Sequence, residues 1–199
     1  MGVDFLSKTF LLSDGSVVNC LVYDTCGQER YHSINESYYR KADAVLLVYD
    51  ISQKKTFEKI KDYYCEQMKN YCKKNIPVIL LGNKTDLENE RQVSQEEGIQ
   101  LALKEKFKFK ETSCIKNENV ASAFEALIEL WNIENRKKDI INRNRRSSLD
   151  YVDNTKDNTL AKNNTIMFNA DNLLKGINDS SIKLKKGKKK KKNHKTCCD

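Results

Sequence analysis

Apolar residues change their spacing along this chain, and each spacing predicts an element. Lys8–Leu12 and Val17–Tyr23 read as two strands of a hairpin, with Ser13-Asp14-Gly15-Ser16 as the turn and Gly15 supplying a positive φ. Ala44 to Tyr49 is a continuous apolar run, as expected of a strand buried on both faces. Pro77 to Leu81 is a second such run, and Lys108 to Glu111 a shorter strand. Between them the period lengthens. Phe57, Ile60, Tyr64, Met68 and Tyr71 recur at three- and four-residue steps and predict a helix. Ile99, Ala102 and Leu103 mark a shorter helix, and Val120, Phe124, Leu127, Ile128 and Trp131 the last one. All three stripes are expected to pack into a core. Strands alternating with helices imply an α/β fold: a mostly parallel sheet with helices on both faces. Such sheets bind ligands at the carboxyl ends of their strands. Asp24, Asn83 and Ser113 each lie at or just past such an end.

The apolar runs stop near Trp131. Residues 139–196 are rich in Asn, Asp, Ser and Lys and have no sustained period. They cannot bury enough apolar surface to offset chain entropy, so a disordered tail is expected there, after a domain over 1–138. Charge follows the same division. Nine lysines between Lys183 and Lys195 outweigh the net charge of +8 carried by all 199 residues. The folded part is therefore near neutral, which argues against a nucleic-acid binder with a basic face on its fold. Seven cysteines and two histidines form no C-x-x-C pair and no zinc spacing, so Cys20, Cys65 and Cys72 are expected as reduced thiols. No apolar stretch approaches the ~20 residues that span a bilayer, and Met1 to Ser13 does not read as a signal peptide.

Three short polar words carry the candidate chemistry. Asp24-Thr25-Cys26-Gly27-Gln28 follows the second strand. It offers an acid for a metal ion, a glycine N–H for a phosphate and an amide to orient water. Asn83-Lys84-Thr85-Asp86 follows the Val78–Leu81 run, and Glu111-Thr112-Ser113-Cys114 follows the shorter strand. Each word alone is common. Together, at these distances, they resemble the small GTPases of the Ras superfamily, and further words narrow the resemblance to the Rab family. Gly2-Val3-Asp4-Phe5 with Lys8-Thr9 looks like the end of the effector loop, and Gln28-Glu29-Arg30-Tyr31 like the second switch. Tyr38-Tyr39-Arg40-Lys41-Ala42 and Leu47-Val48-Tyr49-Asp50-Ile51-Ser52 match the words that set Rab proteins apart. The lysine run ending in Cys197-Cys198-Asp199 resembles a doubly prenylated terminus.

The resemblance implies GTP and GDP as ligands, with Mg²⁺. Asp86 would accept two N–H bonds from guanine, Asn83 would tie the loops together, and the Lys84 stem would lie over the base. Ser113 would brace the second loop and the Cys114 N–H would meet guanine O6. Ile115 stands where the family usually has Lys, which loses a stem over the base. Asp24 would hold Mg²⁺ through water, Gly27 would meet the γ-phosphate and Gln28 would orient the attacking water. Cys197 and Cys198 would take lipid, giving a lipid-anchored protein on the cytoplasmic face of an endomembrane, cytosolic when escorted. Implied partners are effectors, an exchange factor, an activating protein and a prenylation escort. No G-x-x-x-x-G-K-[ST] string occurs in the chain. In the family that loop, its strand and the first-switch Thr lie upstream of Gly2, so the chain is expected to be an incomplete Rab-like domain. The missing strand lies between those corresponding to Val17–Tyr23 and Ala44–Tyr49, so two open rows of backbone groups are expected there. A rival reading is a nucleotide-free, membrane-tethered adaptor that binds partners through its second switch.

Overall fold

The computed structural model describes residues 4–24, 32–146 and 163–169. Strands β1 (Asp4–Leu11) and β2 (Val17–Asp24) form the predicted hairpin, paired from Asp4↔Asp24 to Leu11↔Val17. Gly15 takes φ 81° in its turn, where the Ser16 N–H and hydroxyl both donate to the Asp14 carboxylate. Then come α1 (His32–Lys41), β3 (Ala44–Asp50), α2 (Lys54–Lys59) and α3 (Cys65–Tyr71). After these lie β4 (Val78–Asn83), α4 (Gln95–Glu105), β5 (Lys108–Thr112), α5 (Val120–Arg146) and β6 (Asn163–Asn169). The sheet order is β1-β2-β6-β3-β4-β5. Among these strands, β1 alone is antiparallel to its neighbour; β2, β6, β3, β4 and β5 run parallel. This is the α/β sheet that the alternation of elements predicts.

Strand periodicity divides the core into two layers. Ala44, Leu46, Ile79 and Leu81 face Val120, Ala123, Phe124, Leu127 and Ile128 of α5, together with Phe10, Val18, Cys20 and Val22 of the hairpin. Val45, Leu47, Tyr49, Val78 and Leu80 face the other way, onto Tyr39, Phe57, Ile60, Tyr64, Cys65, Met68, Leu101 and Ala102. Burial on both sides explains the unbroken apolar runs of β3 and β4. Between α2 and α3 lies one π turn, Ile60–Tyr64, where the Cys65 N–H bonds to the Ile60 carbonyl. The wider turn lets Ile60, Tyr64 and Cys65 all reach the core.

Sequence and structure part in three places. In α4 the buried positions are Gly98, Leu101 and Ala102, whereas Leu103 is 66% exposed and Ile99 lies at the surface. The face is turned because Gly98 sits against the rings of Phe109 and Tyr49, where a larger residue has no room. Second, regular structure reaches past residue 138 at two places among the described residues. Helix α5 runs on to Arg146, past the last core contacts, on exposed residues such as Ile140 and Ile141 and the Lys137–Glu134 pair. Asn163–Asn169 forms β6. Third, β6 fills the place between β2 and β3 where open rows were expected. It pairs from Asn19↔Asn163 to Asp24↔Phe168 on one side, and from Ala44↔Ile166 to Leu47↔Asn169 on the other. Unpaired buried N–H and C=O groups are costly, so two vacant edges favour any segment that can lie extended between them.

Candidate functional site

Two loops meet at the carboxyl ends of β4 and β5. At the end of β4, Asn83 is buried and Lys84 adopts φ 70°, ψ 41°, a left-handed turn that swings the chain into the 3₁₀ segment Thr85–Glu90. At the end of β5, Ser113 is fully buried. Ser113 and Glu118 exchange both backbone hydrogen bonds, at 3.1 and 2.9 Å, and so close the loop between them. Asn117 and Asn119 supply the positive φ angles that this closure needs.

Side chains then lock the loops together. The Ser113 hydroxyl donates to Asp86 Oδ1 at 2.5 Å and accepts from the Lys116 N–H at 3.2 Å. Asn83 Oδ1 accepts from the Thr112 hydroxyl at 3.2 Å and from Cys114 Sγ at 3.4 Å. Arg91 clamps the far end of the 3₁₀ segment to the sheet, with a fork of hydrogen bonds to Glu111 at 2.7 and 3.1 Å and a second fork to Glu88. Asp86 is thus a half-buried carboxylate aimed by a buried hydroxyl at the loop that carries Cys114. Ile115 stands 78% exposed beside it.

Lys84 is held by a residue that the sequence did not single out for chemistry. Its Nζ lies 2.6 Å from Asp50 Oδ2, at the carboxyl end of β3. Asp50 also accepts from the Ser52 N–H at 2.9 Å and hydroxyl at 2.6 Å. Burial works to raise the Asp50 carboxyl, but the Lys84 and Ser52 hydrogen bonds and the Lys84 charge outweigh it and hold its pKa below 3.8. The signal was an acid ending a buried strand inside Tyr49-Asp50-Ile51-Ser52, in line with the acid or amide that ends each neighbouring strand.

Asn83, Lys84, Asp86, Ser113 and Cys114 are therefore assembled at one end of the sheet. Asp24 closes β2 at the same end and pairs with Phe168 of β6. Gly27, Gln28, Cys197 and Cys198 lie outside the described residues. The donor set at β4 and β5 suits a planar base that presents adjacent N–H groups: one carboxylate acceptor and a loop of backbone amides. Among the described residues no three His, Cys, Asp or Glu side chains gather as a metal site. A cavity of about 600 Å³, lined by Cys65, Met68, Cys72, Ile76 and Phe107, includes none of these residues. No helix among the described residues is long and apolar enough to cross a membrane.

Known proteins carry the same pattern. The Ras family model matches residues 1–132. The Ras-related protein Rab11A of Lotus japonicus is 42% identical over 138 residues, which cover 69% of this chain and 60% of that protein. RABA1b of Arabidopsis thaliana is 42% identical over 139 residues, 69% of this chain and 63% of the relative. Rab-3 of Caenorhabditis elegans is 42% identical over 130 residues, 65% and 58% respectively. The chain thus spans about 60% of the length of these curated relatives, and β6 lies beyond the residues that the Ras family model matches. A family match over well more than half of the chain, on the loops and core strands described above, places this protein in the Ras family, among its Rab-type members.

Proposed function

We propose that the chain is a Rab-like small GTPase that recognises guanine nucleotides through Asp86 and serves as a switch in membrane trafficking. The carrying observation is the Ser113–Asp86 bond, which aims a carboxylate beside the Cys114 loop. A carboxylate only accepts hydrogen bonds. Guanine offers it two donors, N1–H and the exocyclic amine; adenine offers no such pair. The Cys114 backbone N–H supplies the complementary donor for O6. In hydrolysis Gln28 would orient water, Gly27 would donate its N–H to the terminal phosphate, and Asp24 would hold Mg²⁺ through a water, supplying charge neutralisation there. Cys197, Cys198 and the lysine run would attach the terminus to an anionic membrane by two lipid chains and a polybasic patch. Rab-type effectors, regulators and a prenylation escort are the partners this reading brings with it.

A second reading, a nucleotide-free adaptor that binds partners through its second switch, makes no use of the Asp86 carboxylate. Nucleotide titration separates the two. In the GTPase reading, saturation-transfer NMR on the 199-residue chain detects GDP but not ADP. Asp86→Asn then weakens GDP binding at least tenfold and favours xanthosine diphosphate, because the amide donates where the carboxylate accepted. Equal signals from ADP and GDP would overturn base recognition by Asp86. No signal from either would leave the adaptor reading standing.

A further inference from the structure

The cavity of about 600 Å³ opens at the pole of the sheet opposite to Asn83 and Ser113, where β4 starts at Val78 and β5 at Lys108. Two helices stop short of it. The chain leaves α3 through Cys72 in an extended conformation, ψ 158°, and turns at Asn75 with φ 59°. Helix α4 ends at Lys106, whose φ of 61° lets the Phe107 N–H bond back to the Ala102 carbonyl at 2.8 Å. The gap between these two ends reaches Leu130 and Glu134 of α5. Its floor is apolar, with Met68, Ile76, Val78, Phe107 and Leu130. Cys65 and Cys72 complete it. Burial pushes the Cys65 thiol up to about 11 and the Cys72 thiol up to about 12, so both stay protonated at neutral pH and act as small apolar groups. The rim is basic: five lysines line the cavity against two glutamates. Lys69 is held by Glu105 at 2.7 Å, Lys73 by Asp43 at 2.8 Å, and Glu134 is taken by Lys137. Lys74, Lys106 and Lys108 are exposed and form no ion pair among the described residues.

We propose that this cavity binds a single-chain anionic amphiphile, a monomeric long-chain carboxylate, with its chain on the apolar floor and its head among Lys74, Lys106 and Lys108. The volume falls within the roughly 300–1,000 Å³ of small-molecule sites, which are built in the same way, from an apolar lining and a few charged groups that fix orientation. Neither half of the site suffices alone. Exposed lysines hold a bare anion weakly, because salt screens them. A cationic chain of the same length meets three like charges at the mouth, and like-charge juxtaposition is costly. The carboxylate instead complements them, and the lysine stems can lie along the upper part of the chain. The site stands at the far pole from Asp86 and needs no nucleotide.

An amide-resolved NMR titration of the 199-residue chain with dodecanoate, kept below its micelle concentration, tests this. Shifts should centre on Met68, Cys72, Ile76, Phe107 and Leu130 and leave Asn83 to Asp86 unmoved. Shortening the ligand to decanoate and octanoate should weaken binding about fourfold per methylene, the worth of one buried CH₂. Dodecylammonium and inorganic phosphate each keep one half of the chemistry, and neither should shift these amides. Lys74→Gln, Lys106→Gln and Lys108→Gln combined should weaken dodecanoate binding at least tenfold. All three side chains are exposed, so this variant should fold, and its unliganded spectrum checks that. The wild-type ligand series stands whether or not it does. No binding of dodecanoate, equal binding of dodecylammonium, shifts from phosphate alone, or less than a twofold change per methylene would each overturn the proposal. So would undiminished binding by the folded triple variant. Shifts produced only by vesicles of anionic phospholipid would overturn it too, and would make this pole a membrane contact instead.

Discussion

Lys84 and Asp50 concentrate the physics of the site in two side chains. Asp50 is buried and Lys84 only partly exposed, so their contact at 2.6 Å is weakly screened. Because the folded pKa of Asp50 lies below 3.8, the pair stabilises the fold fully at pH values well above 3.8. That contribution is lost as pH falls through 3.8 and on through the lower folded value. Lys84→Met leaves the carboxylate without its cation. It should cost about 2 kcal/mol at pH 7 and flatten the acid limb of the melting-temperature profile, so that variant and wild type converge as Asp50 protonates. Thermal melts from acid to neutral pH would check both, and a difference that stays constant to pH values well below 3.8 would refute the assignment. Asp86 and Ser113 were legible in the sequence because their words follow buried strands. Their direct bond was not, since nothing in two residues 27 positions apart says which oxygen a hydroxyl will meet.

Elements were legible where burial is two-sided. β3 and β4 stand within two residues of their apolar runs, because a strand covered on both faces has no polar register to confuse. Helix α4 misled because its core face is made of small residues and its exposed face carries Ile99 and Leu103. A Cβ built on Gly98 would stand 2.5 Å from a Phe109 ring carbon and 2.6 Å from the Tyr49 hydroxyl. Gly98→Ala should therefore cost about 1–3 kcal/mol by overpacking, despite the better helix propensity of Ala. Leu103→Ala, on the same helix, should change stability by less than ~1 kcal/mol. Urea titrations of the two variants would compare them, and a Gly98→Ala midpoint at or above the wild-type value would contradict this packing. β6 escaped notice for a different reason. Its sequence reads as loop, and only the two unsatisfied edges of a distant hairpin and strand make it a strand.

At the scale of the whole molecule, the terminus is expected to govern location. Replacing both Cys197 and Cys198 with Ser should shift the protein from the membrane pellet to the cytosolic fraction, because lysines alone give a salt-screened attraction. Neutralising Lys188 to Lys192 with the cysteines kept should redistribute the protein among membranes without freeing it. Fractionation and imaging in cells would check this, and a pelleted double-Ser protein that still folds would refute the anchor. This expectation rests on the resemblance of the lysine run and the two adjacent cysteines to a doubly prenylated terminus.

The direction of β6 sets how such an anchor would pull. β6 runs parallel to β2, so the chain leaving Asn169 sets off from the pole that carries Asp24, Asn83 and Ser113. Helix α5 ends at the other pole: its Asn132 donates to Asp14 and its Arg136 pairs with Asp14, in the turn that begins β2. With β6 in the sheet, a lipid anchor at Cys197 and Cys198, as proposed above, would pull on the loop pole through at most ~100 Å of chain. One seven-residue strand would then be the cleat on a mooring line, and the pole it makes fast is the one that carries Asn83 and Ser113.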